Sequence, residues 1–159
     1  MEWIWMELFK GLLSSFIGTF GFSLLFRVRR DCLASSAIGG TLAYGVYWMC
    51  EAMGMGLFIS NFLAAVIAAF YAEVFARVKK SPAVIFLITA IVPLVPGSFL
   101  YYTMSSLFTG QYDSFWFFLK QTLVIALGIA SGMIVISILT RPIFRLLQKH
   151  GKRNRSDNG

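Results

Sequence analysis

The chain has 159 residues, 58% of them hydrophobic and only 13% charged, with a mean hydropathy of +0.74. Soluble domains hold about 45–50% apolar residues, so this length and composition describe one membrane-embedded domain and exclude a soluble globular one. The formal net charge of +7 is not a nucleic-acid signature, because the basic residues sit in short runs beside apolar segments, as orientation signals do.

The opening, MEWIWMELFK, carries Glu2 and Glu7 and no basic cluster, which argues against a cleaved leader. Residues 5–26 form the first apolar segment and end at RVRRD. The second covers residues 33–50 and is followed by EAMGMG; the third covers 57–76 and is followed by RVKKS. The fourth runs over residues 82–108 and the fifth over 115–140, with TGQYDS between them. Each approaches the ~20 residues that cross a hydrocarbon core of about 30 Å. The expected fold class is an all-α membrane protein with five transmembrane helices in a domain of residues 1–145. A basic cytoplasmic tail, 146–159, follows. RPIFRLLQK is expected to lie as a short amphipathic helix on the anionic leaflet, and HGKRNRSDNG to be polar and unstructured.

Charge sets the orientation. Arg27, Arg29 and Arg30 lie in the first loop, and Arg77, Lys79 and Lys80 in the third. Arg141, Arg145, Lys149, Lys152, Arg153 and Arg155 lie in the tail, which leaves only Lys10 and Lys120 of the 14 Lys and Arg for the other side. The positive-inside bias therefore predicts an N-terminus outside and a C-terminus in the cytoplasm. Trp3, Trp5, Trp48 and Trp116 then all fall at the outer interface. Cys32 and Cys50 would stand roughly 27 Å apart on one helix, too far to bond, and are expected as free buried thiols.

No catalytic residue, metal site or cofactor is expected. The only histidine, His150, is in the basic tail, and no His, Cys or carboxylate cluster or Gly-rich phosphate loop occurs. The chemistry concentrates instead in the fourth segment, at IVPLVPG. Pro93 frees the carbonyl of Thr89, and Pro96 that of Val92. Opened backbone is tolerated in a bilayer only where protein buries it or where it lines a cavity. The break falls near the middle of the segment, hence near the bilayer midplane. Ser98 is expected to cap a second half-helix from about Phe99, whose positive end would face the membrane centre. Broken helices of this kind receive anionic substrate groups in transporters, and no Lys or Arg lies deep in a span to do so instead. The competing reading is a plain kink in a packed helix.

Thr89, Pro93, Pro96, Gly97 and Ser98 are therefore the candidate substrate-binding residues, with Tyr101, Tyr102 and Thr103 along the outer path. Asn61 joins them as a candidate, although it also lies on a stripe with Ala65, Ala68, Ala72 and Ala76 that suits helix packing, with a bond across the seam. Ser35, Gly39, Ala43, Gly128 and Gly132 form similar small-residue seams. Glu73 is a candidate for proton coupling, or else the partner of Arg77 at i+4. Glu7 and Lys10 are expected to pair at i, i+3.

FGFSLLFRVRR, AEVFARVKKSPAVIFLITAIVPLVPGSFLYYTM and FTGQYD resemble the threonine/serine exporter family, most closely its small, separately encoded subunits. Where the family often has a Pro-Gly pair, this chain has Thr89 and Ala90. The resemblance implies the bacterial inner membrane and a ten-helix transporter, completed by a larger five-helix subunit that carries a cytoplasmic domain. It implies export of threonine and serine, or of dicarboxylates such as succinate in some split pairs. A non-transporting scaffold subunit is the alternative.

Overall fold

The computed structural model describes the backbone of residues 2–156 and the side chains of residues 5–140. The side chains of Trp3, Arg141, Arg145, Lys149, His150, Lys152, Arg153 and Arg155, which enter the orientation argument, lie outside the described residues. The described chain is entirely helical: α1 (Glu2–Leu25), α2 (Arg30–Ala52), α3 (Leu57–Val78), α4 (Ala83–Ile91), a 3₁₀ turn (Val92–Leu94), α5 (Gly97–Phe108) and α6 (Tyr112–Ser156).

Three helices, α1, α3 and the first part of α6, are long and apolar enough to cross a membrane, and α4 with α5 make a fourth such unit if the bent pair counts as one. At 23 residues α2 matches them in length. It falls short in apolarity because Ser35, Ser36, Thr41, Tyr44 and Tyr47 interrupt it. Its position accounts for that composition: α2 packs against α1, α3, α4 and the 3₁₀ turn, so much of its surface meets protein.

The core is built from small residues. Ala64, Ala65, Ala68 and Ala72 of α3 are at most 1% exposed. α6 packs along α3, and its glycines set the approach. A Cβ on Gly128 would stand 2.8 Å from the Phe58 carbonyl oxygen, and one on Gly132 2.6 Å from that of Phe62. Both numbers increase together, so α3 and α6 run parallel. Gly39 of α2 is likewise closed over by the Tyr71 ring, whose hydroxyl donates to the Ser35 carbonyl at 2.7 Å. The expected small-residue seams are present, and close backbone approach is the reason for them.

Four helices end in the same way. After α1, α2, α3 and α5, the second residue past the end bonds to a carbonyl three back and its successor to one five back, the six-to-one pattern of a Schellman cap. Gly54 and Gly110 occupy the left-handed position at one pair of ends, whereas Arg27 (φ 51°) and Lys80 (φ 50°) occupy it at the other. The Cys32 thiol lies 3.7 Å from the Ser81 hydroxyl, which brings the two basic turns to the same end of the bundle. Cys32 and Cys50 are free and buried.

Two expectations are corrected. No ion pair forms between Glu7 and Lys10, which are both exposed and gain little from meeting. The backbone also stays helical through Ser156, where an unstructured tail was expected from residue 150. Extending an existing helix avoids the cost of nucleation, and Lys152, Arg153 and Arg155 of this stretch are good helix formers.

Candidate solute site at the broken helix

The fourth apolar segment is interrupted where its prolines fall. α4 stops at Ile91, the chain tightens into the 3₁₀ turn, and Val95 is extended (φ −61°, ψ 126°). Pro96 follows at φ −77°, ψ 57°, and the Gly97 amide donates to the Val95 carbonyl at 2.8 Å. That is an inverse γ-turn centred on a proline whose ring presets φ. The two arms meet at 57°. α4 packs on α2 and α3, while α5 rests chiefly on α6, so the bend passes the segment from one seat to another.

The second half-helix begins two residues earlier than expected, at Gly97, and Pro96 stands in the capping position with no side-chain cap. Ser98 therefore lies inside the first turn rather than capping it. Leu100 donates to the Pro96 carbonyl at 3.0 Å, which leaves the amides of Ser98 and Phe99 without a backbone acceptor among the described residues.

Those two residues line a recess of about 150 Å³, together with Pro93, Pro96, Asn61 of α3 and Tyr47 of α2. Asn61 is only 2% exposed. Its amide donates to the Leu57 carbonyl of its own helix at 2.7 Å, not across a helix seam as expected. A carbonyl one turn back is always within reach of a short side chain, and the α6 residue that faces Asn61, Gly128, has no side chain to bond it. The Asn61 carbonyl oxygen is left with no donor among the described residues.

The recess thus gathers Asn61, Pro93, Pro96 and Ser98, four of the predicted site residues. It does not gather the rest. Thr89 is fully buried and spends its hydroxyl on the carbonyls of Ile85 (3.0 Å) and Phe86 (3.1 Å). Thr103 is buried and bonds to the Phe99 carbonyl at 2.7 Å. Tyr101 and Tyr102 are 68% and 50% exposed on the outer face of α5, and Gly97 is exposed beside the recess. Glu73 accepts from Arg77 at 2.6 Å, the i+4 pair. Tyr47 and Phe99 are lining residues that the sequence did not single out.

Chemically the recess is neutral and rich in donors. It offers two unpaired amides at a helix N-terminus, where the dipole favours negative charge, and one amide oxygen as an acceptor. No charged side chain lines it. A small solute that carries a carboxylate and a donor group matches that pattern.

The family model described as Threonine/Serine exporter, ThrE, matches residues 11–139. The chain belongs to the threonine/serine exporter family. No curated protein and no solved structure matches it. The exporter match spans the break, the recess and every helix that walls it, and it stops before the last stretch of α6. Exporters of this family are transporters rather than enzymes, and their apolar helices make this chain a multi-pass membrane protein.

Proposed function

We propose that this chain is the small transmembrane subunit of a secondary exporter for small carboxylate-bearing metabolites, threonine and serine foremost. It pairs with a larger five-helix subunit to make a ten-helix transporter in the bacterial inner membrane. The observation that carries the reading is the recess at the break. There, Ser98 and Phe99, whose amides are unpaired, line the same space as Asn61, whose side-chain oxygen has no donor among the described residues, in a chain of an exporter family.

Five crossings with ends on opposite sides are supported by the parallel run of α3 and α6. Parallel neighbours need the intervening α4–α5 pair to travel back along the bundle, and α2 supplies the remaining pass. The two basic turns share one end, which supports placing that end, and the C-terminus, in the cytoplasm. The carboxylate would rest at the start of α5, with Asn61 accepting from the solute's ammonium or hydroxyl group.

Efflux of labelled threonine, serine and succinate from loaded cells tests this, with the chain and its partner expressed together and singly. Faster efflux of threonine and serine that needs both chains is the expected result. Succinate efflux alone would reassign the substrate. Unchanged efflux when this chain is deleted would reduce it to a scaffold.

A further inference from the structure

The turn at Val92 and Pro93 has a second recess on its other side, about 200 Å³, between α1 and α2. Ser14, Ser15, Thr19 and Tyr44 line it, and Pro93 is a wall common to both recesses. Its hydroxyls differ from most of those elsewhere in the bundle, Ser36, whose Oγ is also unmet, being an exception. Thr41, Ser60, Thr103, Thr122, Ser131 and Thr140 each donate to the carbonyl four residues back, which is how a helix in an apolar setting satisfies such a group. In this recess only Ser15 is committed, to the Gly40 carbonyl at 3.2 Å. Thr19 is 0% exposed and its Oγ1 has no partner among the described residues. The hydroxyls of Ser14 and Tyr44 make no bond within the described chain either.

The Thr19 and Tyr44 hydroxyls sit against glycines of the facing helix. A Cβ on Gly40 would overlap Thr19, and one on Gly11 would overlap the Tyr44 hydroxyl, so both groups sit where glycine lets α1 and α2 close. No carboxylate, ammonium or guanidinium lines the space. A buried hydroxyl without a partner is disfavoured, and a ligand hydroxyl that supplies the bond removes the disfavour.

We propose that this recess is a hydroxyl-reading subsite, in which Thr19, helped by Ser14 and Tyr44, hydrogen-bonds the side-chain hydroxyl of a small hydroxylated solute. It is a separate station from the carboxylate recess, across the Pro93 turn, and it deepens the exporter reading on which it rests. A site built to bond a hydroxyl discriminates against the analogue that lacks one, because its own groups then stay unpaired.

Gly18 lines the recess and a Cβ added there meets nothing within 4 Å, so Gly18→Cys leaves the three hydroxyls in place and reports occupancy. Ser98→Cys reports the first recess. Both are made in a full chain with Cys32 and Cys50 replaced by alanine, in membranes that hold the partner subunit. The rate of alkylation by N-ethylmaleimide is then read with threonine, serine or alanine present.

Threonine and serine are expected to protect Gly18→Cys at concentrations about threefold to tenfold below those at which alanine does, the worth of one net hydrogen bond. Thr19→Val abolishes the difference and Thr19→Ser keeps it. Thr19→Val removes an unsatisfied group without changing shape, so a folding defect does not explain its effect. Equal protection by alanine, or discrimination that survives Thr19→Val, overturns the proposal. Protection at Ser98→Cys with none at Gly18→Cys also overturns it while leaving the exporter reading intact. Protection at neither position removes both.

Discussion

Asn61 is almost wholly enclosed, yet only its amide nitrogen is used by the protein, and that bond is local to α3. Asn61→Ala should therefore barely affect folding while it removes an acceptor from the recess. The expected outcome is a half-saturating solute concentration about threefold to tenfold higher, with the melting temperature of the detergent-solubilised protein nearly unchanged. Two glycines make a sharper structural contrast. Gly132→Ala forces a methyl to 2.6 Å from the Phe62 oxygen and 2.9 Å from the Ala65 methyl. Backbone does not yield cheaply, so a loss of about 1–3 kcal/mol is expected. Gly45→Ala meets only Leu12 Cδ2 at 3.6 Å, an ordinary contact, and gains up to about 1 kcal/mol of helix propensity. Thermal unfolding of the two variants should move in opposite directions.

At the scale of elements, the caps carry a prediction of their own. Lys80 holds the left-handed position that Gly54 and Gly110 hold elsewhere. Lys80→Gly should stabilise the α3–α4 turn by about 1 kcal/mol, the usual cost of placing an L residue there. A fall in melting temperature would mean that the lysine's attraction to the helix end outweighs the strain. The helices and the position of the break were legible in the sequence, because apolar length and paired prolines are local signals. The start of α5 was not. Ser98 looks like a cap by composition, but Pro96 closes a γ-turn over Gly97 and takes that role through backbone geometry. The partner of Asn61 was not legible for a related reason, since the choice between its own helix and a neighbour depends on which residue faces it, here Gly128, which offers no side chain. Gly11, Ser14, Ser15, Gly18 and Thr19 fall at helical spacing along one face of α1, a stripe that would have marked the second recess. In an apolar run each of these residues reads as packing, and only the unmet Thr19 hydroxyl distinguishes them.

For the molecule as a whole, the separation of charge from aromatic and glycine-capped ends predicts how it sits in the membrane. A cysteine placed at the exposed Met53, in the α2–α3 turn, should react with an impermeant thiol reagent in intact cells. One placed at Lys79 should react only after the membrane is opened. The reverse pattern would invert the orientation argued above. The small-residue interior also sets which parts are stiff. α2, α3 and α6 interlock through glycine and alanine at close range, whereas α5 leans mainly on one neighbour, α6. To tilt α5 about Val95 and Pro96, the protein need peel apart only that one surface, and a turn already lacking continuous helical bonding adds little resistance. The cheapest large movement available to this chain is thus a swing of its outer half-segment, and such a swing carries the Ser98 and Phe99 amides with it.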